Sequence, residues 1–253
     1  MVLFVSDLDN TLIYSYKREI GKKKICVELY EGKEISFMTE NSYRLLKEIR
    51  EQVCFIPITT RSIEQYQRIF LERGNFSDYA LVCNGGILLV KNEIEKKWYK
   101  DSLKMIAGCQ EELEKGERLL ERDRFRKFEI RKISDLFLFT KSSKPDDTMV
   151  YLKRELEEKL VDVCNNGEKI YIVPKNLNKG MALERIKEKI KADYVMAAGD
   201  SDFDVSMLKK ADVCFIPKDL KEKVRGEGTE VIQKDGIFSD MILEYIKEKK
   251  CKR

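Results

Sequence analysis

The chain has 253 residues, enough for one large α/β domain or for a core with a smaller insert. Hydrophobic residues make up 43% of it, which supports a folded core, and 49 basic residues against 45 acidic ones leave a net charge of only +4. We therefore expect a mixed, solvated surface and no nucleic-acid partner. Histidine is absent, which excludes serine–histidine triads, histidine-ligated zinc and histidine general bases.

Cysteine usage indicates the compartment. Seven cysteines are scattered along the chain, and none forms a Cys-x-x-Cys pair. The sequence shows neither a signal-peptide pattern nor an apolar run of ~20 residues that would cross a membrane. We therefore expect a reduced, cytoplasmic protein that does not associate with membranes.

The first predicted strand, 2–6, leads into the acidic segment Asp7-Leu8-Asp9-Asn10-Thr11. Alternate side chains of an extended strand share a face, so Asp7 and Asp9 are expected on the same lip of a sheet, where ligands of open α/β folds bind. Two carboxylates this close repel each other unless a cation lies between them or one carries a proton. Mg²⁺ suits oxygen ligands best, and the pair indicates phosphoryl transfer, with one aspartate as nucleophile and the other as acid/base.

Residues 13–40 are too many for a simple strand-to-helix loop. Strand-like segments at 25–30 and 34–38, on either side of Glu31-Gly32-Lys33, predict a β-hairpin that lies close to the aspartate pair.

Beyond the hairpin, short apolar runs alternate with amphipathic helical stretches, which is the pattern of a parallel sheet covered on both faces. The predicted core strands are 2–6, 53–59, 79–83, 194–198, 213–216 and 230–232. The predicted core helices are 41–51, 62–73, 178–191, 201–210 and 238–249.

Residues 84–174 interrupt this rhythm. Their predicted strands are 87–90, 95–99, 125–131, 135–140 and 169–173. Two long helical stretches, near 101–122 and 146–160, separate the strand pairs. Paired strands with helices on one side describe a small α+β layer, so we expect a cap inserted at 84–174 into a core made of 1–83 and 175–253. Glycine and proline mark its two hinges, at Asn84-Gly85-Gly86 and Pro174-Lys175-Asn176.

Thr59-Thr60-Arg61 ends the second core strand and precedes a helix in which Ser62 and Gln65 have capping-box spacing. This is compatible with an ordinary helix start. Functionally, a hydroxyl and the unsatisfied backbone N–H groups at such an end bind a phosphate oxygen.

Two charged motifs follow the insert. Lys179 stands at the start of a predicted helix, where the helix dipole disfavours a cation, so either the side chain is solvated or an anion lies nearby. Asp200, Asp202 and Asp204 follow the strand 194–198 with no basic neighbour, as acids in a first helical turn do, but they also invite a divalent cation. Together with the earlier motifs these groups all fall at strand ends, so one pocket can receive them.

This order of motifs resembles the haloacid dehalogenase (HAD) superfamily of phosphohydrolases over nearly the whole chain. More narrowly, it is similar to the branch with a large α+β cap between the second and third motifs, which includes Cof-type sugar-phosphate phosphatases, sucrose-phosphatase-like enzymes and phosphomannomutases. The resemblance implies an α/β fold with a Rossmann-like parallel-sheet core and an inserted α+β cap that sets substrate specificity.

The resemblance also assigns roles. It implies that Asp7 is the nucleophile that becomes an aspartyl phosphate and that Asp9 is the general acid/base. It implies that the phosphoryl oxygens are held by Thr59, Thr60 and Lys179. The implied Mg²⁺ ligands are Asp7, the backbone carbonyl of Asp9, Asp200 and, directly or through water, Asp204.

The expected substrate is a small phosphorylated metabolite, most simply a sugar or polyol phosphate, which Arg61 and Asn84 are placed to contact. Two alternatives stay open. One is a phosphomutase of the phosphomannomutase type, and the other is a non-catalytic HAD-like binding module. Only Phe203, which stands where the family pattern has Asn, favours the second alternative.

Overall fold

The computed structural model describes residues 1–71, 74–224, 229–232 and 236–250. The chain divides into two compact units. The first unit is Met1–Ile94 with Lys179–Arg253, and the second unit is Glu95–Asn178. These boundaries differ from the predicted insert, 84–174, because the segment just after residue 84 pairs with strands of the first unit.

The described residues contain short and long strands throughout both units. In chain order they are β1 (Val2–Ser6), β2 (Tyr14–Ser15), β3 (Lys24–Tyr30), β4 (Lys33–Thr39), β5 (Cys54–Pro57), β6 (Phe70–Leu71), β7 (Gly74–Asn75), β8 (Tyr79–Val82), β9 (Ile87–Val90), β10 (Glu93–Ile94), β11 (Arg131–Ile133), β12 (Phe137–Lys141), β13 (Val161–Asn166), β14 (Lys169–Pro174), β15 (Tyr194–Ala198), β16 (Val213–Pro217) and β17 (Thr229–Ile232).

The α-helices are α1 (Glu40–Arg50), α2 (Ile63–Gln67), α3 (Lys96–Met105), α4 (Gln110–Arg122), α5 (Pro145–Glu155), α6 (Lys179–Ile190), α7 (Val205–Leu208) and α8 (Phe238–Lys250). Short 3-10 helices occupy Ala107–Cys109, Asp202–Asp204 and Lys218–Leu220.

A parallel five-stranded sheet forms the centre of the first unit, in the order β17-β16-β15-β1-β5. All its neighbouring strands run parallel. Its interior strand β1, between β15 and β5, buries Leu3, Phe4 and Val5 completely. A continuous apolar run is what a parallel strand covered on both faces requires. The predicted α/β fold with a parallel-sheet core is confirmed.

The strand β8 was expected in this sheet, but it pairs antiparallel with β9 and joins the end of β5 through a parallel bridge between Ile58 and Leu81. The predicted hinge at Asn84 is a tight hairpin turn between these strands. Cys83, Asn84 and Gly85 there have φ of 53°, 58° and 86°. Asn and Gly tolerate this left-handed backbone, so the turn signal marks a hairpin and not a domain boundary.

The predicted hairpin after the aspartate pair is confirmed. The strands β3 and β4 pair antiparallel, and β2 adds to the free side of β4. The register of β3 shifts on both sides of Glu28, which marks an irregularity in that strand.

Two core helices are shorter than predicted. The helix expected at 62–73 ends at Gln67, because the backbone of Ile69 bridges Glu28 and Phe70–Leu71 form a strand. Its last two predicted residues, 72–73, lie outside the described part of the chain. The helix expected at 201–210 is a 3-10 turn followed by α7.

The second unit is an antiparallel sheet, in the order β11-β12-β14-β13, with helices packed on it. Gly116 lets α4 lie close to that sheet, since a Cβ there would be 2.8 Å from Ile172 Cδ1. The strand predicted at 95–99 is wrong: the Glu95 side chain accepts a hydrogen bond from Trp98 N and caps α3. The strand predicted at 125–131 is also wrong, since the strand there is Arg131–Ile133 and Arg126 forms an isolated bridge with Ser142. The strand β13 was not predicted.

Candidate active site

Asp7 and Asp9 follow the interior strand β1 but differ in burial. Asp7 is buried, and its backbone N–H extends the sheet by donating to Ala198 O at 2.9 Å. The strand ends at Ser6, and a tight loop follows in which Asn10 has φ of 63° and donates from its N–H to Ile13 O. The alternation expected of a strand therefore does not continue to Asp9, whose side chain is 50% exposed. The two carboxylates nevertheless lie close enough to interact, because Asp9 is among the groups that raise the pKa of Asp7. The expectation that they share one lip of the sheet stays a prediction.

Lys179 is the first residue of α6, and its side chain is buried between two carboxylates. Its Nζ lies 2.5 Å from Asp7 Oδ1 and 2.6 Å from Asp204 Oδ1. The next residue, Gly180, lets the start of α6 pack against the backbone of Ser206, because a Cβ there would lie 2.4 Å from the Ser206 oxygen. Burial opposes the charge, but Asp204 and Asp7 outweigh it and raise the pKa of Lys179. The anion expected near this lysine is thus present within the protein itself.

Asp204 is completely buried, and both of its carboxylate oxygens are engaged. While Oδ1 takes the lysine, Oδ2 accepts hydrogen bonds from Asp200 N at 3.2 Å and from Ser201 N and Oγ at 3.0 and 2.8 Å. Gly199 is needed beside it, since a Cβ there would lie 2.4 Å from Asp204 Cβ. Asp204 therefore ties the loop after β15 to Lys179.

Asp200 completes the acidic cluster. Thr11 donates its hydroxyl to Asp200 Oδ1 at 2.9 Å. Burial and the nearby Asp204 raise the pKa of Asp200 to about 6. Burial also raises the pKa of Asp7 well above its usual range, with Lys179 opposing and the neighbouring carboxylates reinforcing the shift. The site thus concentrates negative charge that water does not fully solvate.

Asp7, Asp200 and Asp204 could hold a metal ion, because one carboxylate oxygen from each lies within 4.8 Å of the others. Every donor is oxygen, which fits Mg²⁺. Three carboxylates against the single ammonium of Lys179 leave an excess of negative charge that a divalent cation would neutralise. The residues present therefore fit the ion.

The threonine loop lies at the end of β5, next to β1 in the sheet. Thr59 is buried, its N–H donates to Leu81 O at 2.8 Å, and its hydroxyl accepts from Arg61 N at 3.2 Å. Thr60 is half-buried in the same loop. Asn84 N donates to Thr59 O at 2.8 Å, so the structure brings Asn84 to this loop with its side chain largely buried. The capping box of Ser62 and Gln65 is confirmed.

Arg61 makes a two-pronged ion pair with Asp9. Its Nε donates to Asp9 Oδ2 at 2.8 Å and its Nη2 to Oδ1 at 2.7 Å. Burial opposes the charge, but Asp9 and Glu28 raise the pKa of Arg61 above its ordinary value. The residue expected to contact substrate thus also pairs with the second aspartate.

Comparison with known protein families identifies the family to which the chain belongs. The haloacid dehalogenase-like hydrolase family matches residues 4–236. The chain belongs to this family. The predicted superfamily, fold class and enzyme class, a HAD-type phosphatase, are confirmed.

Relatives of this HAD-like hydrolase include phosphatases of several kinds. A phosphoglycolate phosphatase of Picrophilus torridus is 24% identical over 191 residues, which are 73% of each chain. The sucrose-phosphatase of Synechocystis sp. PCC6803, solved with sucrose and phosphate, has a TM-score of 0.65 at 17% identity, covering 98% of this chain and 97% of that one. A HAD subclass IIB sugar phosphatase has a TM-score of 0.64 at 12% identity, with 98% of each chain covered.

Sequence reasoning on this HAD-like hydrolase left four contributing residues without a role. Thr11 and Ser201 lie within the recognised motifs, and their hydroxyls were the available signal. Glu28 and Arg68 lie away from the motifs, on β3 and after α2, and the fold brings both Arg61 and Arg68 to the Glu28 carboxylate. A lone acid within a strand pattern was the only hint of Glu28.

No helix in the described ranges of this HAD-like hydrolase combines the length and the apolar character needed to cross a bilayer.

Proposed function

We propose that the protein is a Mg²⁺-dependent phosphohydrolase that cleaves a small phosphate monoester through an aspartyl phosphate on Asp7. One observation carries the proposal: Asp7 is buried just after the interior strand β1, is bridged by Lys179 to Asp204, and lies beside Asp200. Family membership and phosphatase relatives support the same reaction class.

In the first half-reaction, an oxygen of Asp7 attacks phosphorus and the bond from phosphorus to the ester oxygen breaks. Lys179, held against Asp7 Oδ1, reduces the repulsion between this carboxylate and the incoming phosphate. Thr59 and Thr60 are proposed to hold phosphoryl oxygens together with Lys179. The barrier for uncatalysed hydrolysis is so high that the site must supply about 20 kcal/mol or more.

Asp9 is proposed to move the proton at both steps. It gives a proton to the departing ester oxygen and then takes one from the water that attacks the aspartyl phosphate. Such acid/base help is worth about 10²–10⁴-fold. The half-exposed Asp9 carboxylate has both oxygens on Arg61, which orients it, and a carboxylate oxygen has a second lone pair besides the one used in such a hydrogen bond.

The proposed metal ligands are Asp7, Asp200 and the backbone carbonyl of Asp9. Because both oxygens of Asp204 already have hydrogen-bond donors, we assign it an indirect role that orients the loop and Lys179. When bound, Mg²⁺ supplies positive charge that stabilises the phosphoryl oxygens.

For the substrate we propose a sugar or polyol phosphate. The element proposed to discriminate between esters is the insert, which was predicted at 84–174 and corresponds to the second unit, Glu95–Asn178. The relatives named for sucrose phosphate and sugar phosphates support this class, although the phosphoglycolate phosphatase shows that other small esters occur among relatives. Arg61 and Asn84 are the proposed contacts of the core with the sugar. A cytoplasmic location is also proposed, and the described cysteines form no disulfide.

The test is a screen of phosphorylated metabolites for release of inorganic phosphate, with Mg²⁺ and with EDTA. We expect release only with the ion, and loss of turnover and of trapped acyl phosphate in Asp7→Asn. Asp202→Asn, an exposed acid paired with Lys223, is the matched control and should stay active. Normal turnover by Asp7→Asn would show that the nucleophile is misassigned. An isomerised sugar phosphate in place of inorganic phosphate would instead identify a mutase.

Asn84→Gly tests the sugar contact. Glycine keeps the left-handed backbone at this position and removes only the amide side chain. We expect an altered ranking of sugar phosphates with unchanged turnover of p-nitrophenyl phosphate. An unchanged ranking would remove Asn84 from the substrate site.

A further inference from the structure

Glu28 is a fully buried acid in the middle of the hairpin strand β3. The register of the β3–β4 pair shifts on both sides of it, and its backbone also bridges Ile69, just beyond α2. Irregularities of this kind redirect a side chain from its place in the strand. The carboxylate of Glu28 is thereby directed to the loop that carries Arg61.

Every partner of this carboxylate is a strong donor. Arg61 Nη1 lies 2.9 Å from Glu28 Oε1, and Arg68 Nη2 and Nε lie 3.0 and 3.1 Å from the same atom. Ser36, on the facing strand β4, donates its hydroxyl to Oε2 at 2.6 Å. A buried carboxylate is unfavourable unless it is paired and hydrogen-bonded, and here both conditions are met.

Arg61 is held from two sides. Its Nε and Nη2 bind the two oxygens of Asp9, while Nη1 pairs with Glu28 and also donates to Gln65 O at 3.3 Å. The guanidinium is planar and rigid, so fixing Nη1 fixes the direction in which Nε and Nη2 point. Glu28 therefore influences the orientation of the Asp9 carboxylate through Arg61, without contacting Asp9 itself.

We propose that Glu28 is a positioning residue, which holds the Arg61 guanidinium so that it fixes the orientation of the Asp9 carboxylate. The proposal rests on the proposed function in one respect, the role of Asp9 in proton transfer. The hairpin β3–β4, which lies outside the recognised motifs, would then contribute to the reaction. The plain alternative is that Glu28 only anchors the hairpin to α2 and its following segment.

Kinetics of Glu28→Gln separate the two readings. Misorienting a reacting group lowers turnover by up to about 100-fold, so we expect a loss in kcat with KM nearly unchanged. The loss should be larger for an alkyl phosphate, whose leaving oxygen needs a proton, than for p-nitrophenyl phosphate. Glu34→Gln, an exposed acid on the same hairpin, is the matched control and should match the wild type.

A double-mutant cycle tests whether Glu28 acts through Arg61. In an Arg61→Met background, Glu28→Gln should cause no further loss in kcat, because the group it positions is already absent. Losses that multiply would mean that Glu28 acts independently, as a hairpin anchor, and would overturn the proposal. Where Glu28→Gln does not fold, Glu28→Asp, which keeps the charge and withdraws it by one methylene, gives the same comparison.

A measurement without turnover keeps the proposal separate from the proposed function. The Nε–H of Arg61 should give a slowly exchanging NMR signal in the wild type, because it donates to Asp9. Glu28→Gln should abolish this protection, whereas Arg68→Met, which leaves the Arg61 pairings intact, should preserve it. Retained protection in Glu28→Gln overturns the proposal. If the wild type is inactive on every ester but Glu28→Gln still abolishes the protection, the phosphohydrolase is refuted and the positioning role of Glu28 stands.

Discussion

Replacing Lys179 by methionine should strongly destabilise the first unit. The Lys179 side chain is 1% exposed, and its ammonium lies between Asp7 and Asp204, whose side chains are 10% and 0% exposed. Methionine keeps much of the side-chain volume and removes only the charge. Two carboxylates would then share a buried site without their cation.

The magnitude follows from this burial. Removing one partner of a buried ion pair costs about 3–5 kcal/mol, because the remaining charge is left without compensation. That is a large part of the total stability of about 5–15 kcal/mol that is usual for a folded protein. The loss should fall almost entirely on the folded state, since these side chains are solvated in the unfolded chain.

The deficit should also depend on pH. Burial raises the pKa of Asp7, and Lys179 is the largest influence that opposes this shift, so Lys179→Met moves the pKa still higher. A carboxyl whose pKa is higher in the folded state stabilises that state as the pH falls, and this contribution is lost as the pH rises through the folded pKa. The deficit should therefore be largest near neutral pH and shrink in mild acid.

Equilibrium urea unfolding of the metal-free protein at several pH values provides the measurement. Lys210→Met is the matched control: its ammonium pairs with Glu184 at 2.5 Å, but the two side chains are 32% and 55% exposed. Such a surface pair contributes about 0–1 kcal/mol. A deficit for Lys179→Met no greater than that of the control, or one that grows in acid, would refute the reasoning from burial.

Three further predictions concern proton transfer, metal binding and packing. Asp9→Asn should stop turnover of alkyl phosphates yet allow phosphorylation of the enzyme by p-nitrophenyl phosphate, because that leaving group needs little protonation. Equal losses of rate with the two substrates in a stopped-flow assay would contradict the acid/base role of Asp9. Mg²⁺ should raise the melting temperature more at about pH 7.5 than at about pH 5, because burial and Asp204 raise the pKa of Asp200 to about 6 and protons then compete with the ion. Scanning fluorimetry with an EDTA control measures this, and an equal shift at both pH values, or one retained in Asp200→Asn, would count against it. Gly199→Ala should lower the free energy of unfolding by about 1–3 kcal/mol, because its Cβ would lie 2.4 Å from Asp204 Cβ. Gly108→Ala is the control, since a Cβ there meets nothing within 4 Å. Similar urea midpoints for the two variants would show that the loop at Gly199 relaxes freely.

Sequence patterns predicted the bounds of strands and helices correctly where a single local feature determines the element. The strands β1 and β15 have the bounds expected from their apolar runs, and the hairpin of β3 and β4 lies where its alternation and turn residues indicated. The bounds of α6 agree with its apolar stripe to within a residue at each end. The prediction for 95–99 failed because Glu95 and Trp98 are compatible with a strand pattern, whereas in the structure the Glu95 side chain accepts a hydrogen bond from Trp98 N and caps a helix.

Within the candidate site, the sequence by itself determined which residues reach the end of the parallel sheet. Asp7, Thr59 and Asp200 each follow a core strand, and parallel strands bring their carboxyl ends to one edge. Their order along the chain was enough to indicate the family that the comparison then established.

Only the tertiary structure decided which charged group meets which. Lys179 bridges Asp7 to Asp204, and Arg61 joins Asp9 to Glu28. Each pairing spans segments far apart in the chain and depends on ångström-scale approach, which local periodicity does not encode. Burial then makes breaking one of these pairs more costly, because a charge removed from water is stabilised only by an opposite charge inside the fold.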